Sequence, residues 1–139
     1  GKCFTAAFTP TPLTRAECES EKDQLGIKEC DDGWGGDYWA GAVKQCGGVS
    51  KMPTRADLGK LATELYKEHP SVGAEQDIDD GLTLDTSKAS SMGFTSISVW
   101  SGEENGSRFA YGRNFFSCDT YLGYLERNDR NPQAVCLGD

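Results

Sequence analysis

Asp77, Asp79 and Asp80 lie in the run Asp77-Ile78-Asp79-Asp80-Gly81, a candidate fragment of a calcium-binding loop. Calcium takes roughly six to eight oxygens, and clustered carboxylates with backbone carbonyls could begin such a shell. The EF-hand spacing is not met, because no glutamate stands at the closing position. The plain alternative is a solvated acidic loop. A second candidate is Trp100 with Glu103-Glu104-Asn105, a rim on which a sugar could stack against the indole. Its alternative is a core tryptophan at a strand end, with the acids marking a turn. Asn105-Gly106-Ser107 is also a glycosylation sequon, whose plain reading is a turn. Trp34, Tyr38 and Trp39 cluster near glycines and could form an exposed aromatic patch. Their place on or beside a helical apolar stripe favours the core.

Hydrolytic chemistry finds little support. His69 is the only histidine, and it stands before Pro70 with no nucleophile elbow in the sequence. Two-carboxylate hydrolysis has many carboxylates to draw on and no pattern to favour it. The six cysteines, Cys3, Cys18, Cys30, Cys46, Cys118 and Cys136, are even in number and contain no CxxC pair. Zinc-finger spacing is absent. The set reads as three disulfides made in an oxidising compartment, which places the chain outside the cell or on its surface and leaves no thiol for catalysis. The expected class is therefore a non-enzyme with no resident cofactor, calcium being the one candidate ion.

The net charge is -8, with the excess concentrated between Ser71 and Gly106, where seven acids face one base, Lys88. Such a chain is a poor partner for nucleic acid or anionic membranes. No run approaches the ~20 apolar residues of a membrane span, and no signal peptide is visible, so the sequence reads as a mature or shortened form.

The elements that must position these residues begin with two central helices. Over Asp37 to Cys46 the apolar residues Tyr38, Trp39, Ala42, Val43 and Cys46 recur at helical spacing, and Gly47-Gly48 stops the helix. Thr54 caps a second helix with Asp57 at the capping-box position, and Leu58, Leu61, Ala62, Leu65 and Tyr66 form its apolar face. His69-Pro70 is expected to end it. A short charged helix is expected over residues 15 to 25, capped by Thr14 and closed by Gly26. Its apolar anchors are few, so a bridge from Cys18, for instance to Cys30, would hold it. Residues 1 to 13 read as irregular or strand-like, and Asp31 to Gly36 as a tight turn. Residues 70 to 93 read as a long irregular loop, with Leu82 and Leu84 in a short strand. The second half reads as β. Phe94 to Trp100 alternates, Asn105-Gly106 turns a hairpin, Arg108 to Phe116 returns, and Gln133 to Leu137 makes a last strand. The sum is one α+β domain, residues 1–139, with two central helices packed on a short twisted antiparallel sheet and stapled by disulfides.

The order of AVKQCGG, MPTRADLGKLATEL, VWSGEE, a hairpin and a closing AVCLGD resembles the C-type-lectin-like globular domains of bacterial surface proteins, as found in type IV pilin-like and pseudopilin-like subunits. The resemblance covers Tyr38 to Asp139; residues 1–36 would be a disulfide-tied N-terminal extension to a lectin-like core over 37–139. It implies a Cys46–Cys136 bridge from the first central helix to the last strand. The remaining cysteines are then read as Cys18–Cys30 and Cys3–Cys118. The Glu-Pro-Asn and Trp-Asn-Asp triplets of calcium-dependent sugar binding are absent, and so is the hydrophobic helix of a pilin, which would have to lie upstream. What the resemblance implies is a non-catalytic structural or adhesive module, the head of a pilin-like subunit. Its partners would be other filament subunits or a host-surface ligand. The alternative is a carbohydrate- or protein-binding module assisted by calcium, and a secreted hydrolase is a remote third.

Overall fold

The computed structural model describes residues 3–31, 33, 35–79, 81–95, 98–115 and 122–138, with Leu122 described by its backbone alone. The architecture is α+β. Helices α1 (Arg15–Leu25), α2 (Tyr38–Cys46), α3 (Arg55–Leu65) and α4 (Thr86–Ser91) accompany strands β1 (Ser98–Asn105), β2 (Phe109–Asn114) and β3 (Leu122–Glu126). The strands form an antiparallel sheet in the order β1-β2-β3.

Local chemistry sets the helix ends. Thr14 and Glu17 form a reciprocal capping box on α1, and Thr54 and Asp57 form another on α3. Gly26 and Gly47 close α1 and α2 in the left-handed conformation that glycine adopts freely. α2 is buried on nearly every side from Trp39 to Val43, more than its apolar stripe predicts. The reason is a second neighbour: residues 11–12 cross it at Gly41. A Cβ added there would overlap the Thr11 carbonyl oxygen. Gly41→Ala should therefore destabilise by about 1–3 kcal/mol, as overpacking does, although alanine alone would favour an exposed helix by about 1 kcal/mol. The urea midpoint measures which effect prevails, and a stabilised variant would refute the close crossing.

Several expectations are corrected. α3 ends at Leu65, well before His69-Pro70, because Tyr66 turns extended and bridges Leu84. The segment read as irregular contains α4, whose N-cap Asp85 accepts from the Lys88 amide while Ala89 is buried. Leu84 makes that one bridge and no strand. Residues 133–137 form isolated bridges instead of a ladder. They lie parallel to β1, with the Trp100 amide donating to the Gln133 carbonyl at 3.0 Å. On their other side residues 4–8 run antiparallel, with Phe8 and Ala134 exchanging amide–carbonyl bonds at 2.9 Å. The N-terminal extension is thus built into the edge of the sheet.

β1 lies between two hydrophobic clusters. Trp100 joins Trp39, Val43 and Met52 on one side; Val99 joins Leu58, Leu61, Leu65 and Phe115 on the other. Val99 and Trp100 fall on opposite faces of the alternation and are both fully buried, because each face meets its own cluster. Ser96 and Ile97 lie outside the described residues.

Among the described residues two disulfides are present, Cys18–Cys30 and Cys46–Cys136. Cys3 is exposed; the Cys3–Cys118 expectation falls on Cys118, outside the described residues. Disulfides of this kind form in oxidising compartments, which fits an extracellular setting. Among the described residues no helix is long and apolar enough to cross a membrane.

Candidate functional site

The charged groups that looked available for chemistry are largely engaged inside the fold. Arg127 is fully buried. Its Nε and Nη2 donate to Asp37 Oδ2 at 3.0 and 2.7 Å, and its guanidinium lies 4.5 Å from the centre of the Trp39 ring. Asp37 also caps α2, accepting from the Ala40 amide at 2.8 Å. Burial pushes the Asp37 carboxyl above its ordinary range, with Arg127 opposing. Glu104 completes the group. It accepts the amides of Lys28 and Glu29 at 2.6 and 3.2 Å and lies 3.5 Å from Arg127 Nη1. One side of the hairpin is thereby fastened to the segment that follows α1.

Glu103 does the same on the other side. It accepts the Arg55 amide at 2.6 Å and Arg55 Nε at 3.2 Å, and Arg55 reaches Glu75 at 3.3 Å. The Arg55 guanidinium also covers the Tyr111 ring at 4.0 Å. The acids beside Trp100 are therefore fasteners. Trp100 itself is fully buried, which is the core alternative of the two sequence readings, and no sugar can reach its indole in this structure. Its Nε1 has no hydrogen-bond partner among the described residues.

The acidic loop is held from beneath. Arg113, fully buried in β2, donates from Nη1 to the Gln76 carbonyl at 2.9 Å and from Nη2 to that of Gly73 at 3.2 Å. Burial lowers its pKa, and the negative charge of Asp77 works against that fall. Ile78 is buried between Asp77 and Asp79, whose side chains are exposed. Asp80 lies outside the described residues. Among the described residues no group of three or more His, Cys, Asp or Glu is arranged to hold a metal ion.

Trp39 is core, its Nε1 donating to the Ser101 carbonyl at 2.7 Å; Tyr38 is half-buried, and Trp34 lies outside the described residues. His69 sits exposed in a left-handed turn (φ 49°) with Nδ1 3.0 Å from the Thr63 carbonyl oxygen, where it orders the end of α3.

What stays open is the outer face of the hairpin. Strand pairing sets Asn105 opposite Phe109 and Tyr111 opposite Tyr124, so these side chains share a face. Phe109 and Tyr124 meet edge to face at 5.1 Å, and Tyr124 is 58% exposed. Beside them a cleft of about 220 Å³ is lined by Asp31, Gly33, Arg108, Phe109, Glu126 and Asn128. A larger hollow of about 570 Å³ lies along Phe4, Leu61 and Met92 with Lys60 and Glu64 at its edge.

The sequence reading missed Arg113, Arg127 and the Phe109–Tyr124 ridge. Asp37 carried a usable signal as an N-cap directly before an apolar stripe. The arginines carried none, since nothing local distinguishes a buried arginine from a solvated one. Comparison with known proteins returned no matching family model, no matching curated protein and no matching solved structure.

Proposed function

We propose that this chain is a non-catalytic extracellular or cell-surface module with a C-type-lectin-like architecture, serving as the globular head of a pilin-like or pseudopilin-like subunit. The observation that carries the reading is the Cys46–Cys136 bridge. It ties the first central helix to a closing segment held between β1 and residues 4–8, the pairing that the resemblance implies. A supporting observation is that Glu103, Glu104 and Arg127 hold the fold together, and that the acidic loop rests on Arg113. A head of this kind works by persistence: a cross-linked core presents an acidic, well-anchored surface to neighbouring subunits. Immunogold microscopy of cells that make the protein is the test. Label along sheared surface filaments is expected. Recovery of the chain only as a free protein in the medium would refute the filament role.

The alternative, a carbohydrate- or protein-binding module assisted by calcium, would place the ion at Asp77 and Asp79. There the buried cation Arg113 already faces the loop. Melting in calcium against chelator separates the two readings, because a bound ion raises stability as RT ln(1 + [L]/Kd).

A further inference from the structure

Asn105-Gly106-Ser107 is the only Asn-x-Ser/Thr triplet in the sequence. The structure sets it at the turn between β1 and β2, with Gly106 exposed at φ 76°. Asn105 is partly exposed, and β1 alternation turns it away from Glu104, which is drawn inward to Arg127. It therefore stands on the outer face, directly across the ladder from Phe109, whose ring meets Tyr124. On this face Arg55 covers Tyr111, and Tyr124 is the large hydrophobic residue left exposed among those described. Directly opposed side chains in an antiparallel pair lie about 5 Å apart, the distance at which a sugar on the Asn105 amide meets the Phe109 ring.

We propose that Asn105 is an N-glycosylation acceptor and that the first sugar of its glycan covers the Phe109–Tyr124 ridge. The two disulfides place the chain on a route through an oxidising compartment, where such transfer takes place on surface turns. In the transfer, Asn105 Nδ2 bonds to the anomeric carbon of a lipid-pyrophosphate-linked oligosaccharide. The bond from that carbon to the pyrophosphate breaks, the lipid pyrophosphate leaves, and the displaced amide proton passes to a base of the transferase. The sugar's apolar face then covers an aromatic pair that otherwise meets water. The assignment is independent of the filament reading.

The test uses the protein isolated from the cells that make it. Peptide mass spectrometry after enzymatic deglycosylation in ¹⁸O-water should show the heavy-oxygen Asn-to-Asp mark at Asn105. Asn105→Gln and Ser107→Ala should abolish it, and Ser107→Thr should keep it. The glycosylated form should melt about 3 °C above the deglycosylated one. Tyr124→Ser should retain the glycan and lose most of that difference. An unmodified Asn105 overturns the proposal. So does conversion without the heavy-oxygen mark, which reports spontaneous deamidation of Asn-Gly. A melting difference unchanged by Tyr124→Ser overturns the covering of the ridge.

Discussion

Asp37→Ala is expected to cost about 3–5 kcal/mol, the usual loss when one partner of a buried pair is removed and a charge is left behind. Asp37 is 4% exposed and holds fully buried Arg127 through two donors. Its removal leaves the guanidinium with Glu104 at 3.5 Å and the Gly106 carbonyl at 3.4 Å. It also removes the cap of α2, itself worth about 1 kcal/mol. Chemical denaturation gives the number. A matched Asp37→Ala/Arg127→Met variant should recover much of the loss, since replacing both charges with apolar groups is often neutral. A loss below about 1 kcal/mol for the single change would mean that Arg127 reaches water or another acid.

The sign of the pH dependence follows from the same group and two others. Burial raises the Asp37 carboxyl in the folded state. The stability linked to its protonation is then fully present below the unfolded pKa and lost as pH rises through the folded one. Glu17 and Glu68 run the opposite way. Bonds from the Thr14 and Thr83 groups respectively lower their carboxyls. Their contributions are present above the unfolded pKa and lost as pH falls through the folded values. Acid loss of stability is thus expected to begin at the Glu17 cap and the exposed Glu68 carboxylate and not at the buried pair.

Those caps were also the legible part of the fold. Thr14 with Glu17, and Thr54 with Asp57, announce α1 and α3 because a cap acts over a few residues of sequence. Gly26 and Gly47 mark their stops for the same local reason. The Asn105-Gly106 hairpin was equally local. The site was another matter. Whether Trp100 meets a sugar or a core depends on α2 packing from one side, and α2 is distant in sequence. Whether Asp77 attracts calcium depends on Arg113, a β2 residue that the fold buries beneath the loop. β3 was missed because Leu122-Gly123-Tyr124 gives only a weak alternation, and its pairing comes from β2. α4 was missed because its serines favour turns as readily as helix.

The Cys46–Cys136 bridge should matter more than Cys18–Cys30, and the difference can be argued before it is measured. Cys46–Cys136 closes a separation of 90 residues, Cys18–Cys30 one of 12. In the chain-entropy model these are worth about 4–5 and about 3 kcal/mol. The native state widens the gap. Cys18 is the one buried residue of α1, so losing its bridge frees a charged helix that contributes little else to the core. Cys136 lies in the segment between β1 and residues 4–8, so losing its bridge loosens α2, the closing segment and the N-terminal segment together. Cys46→Ala/Cys136→Ala should therefore lower the denaturant midpoint more than Cys18→Ala/Cys30→Ala. Hydrogen exchange should rise across all three segments in the first variant and be confined to α1 and its flanks in the second. Equal losses, or exchange confined to α2 in the first variant, would show that bonds along β1 hold the closing segment without the bridge.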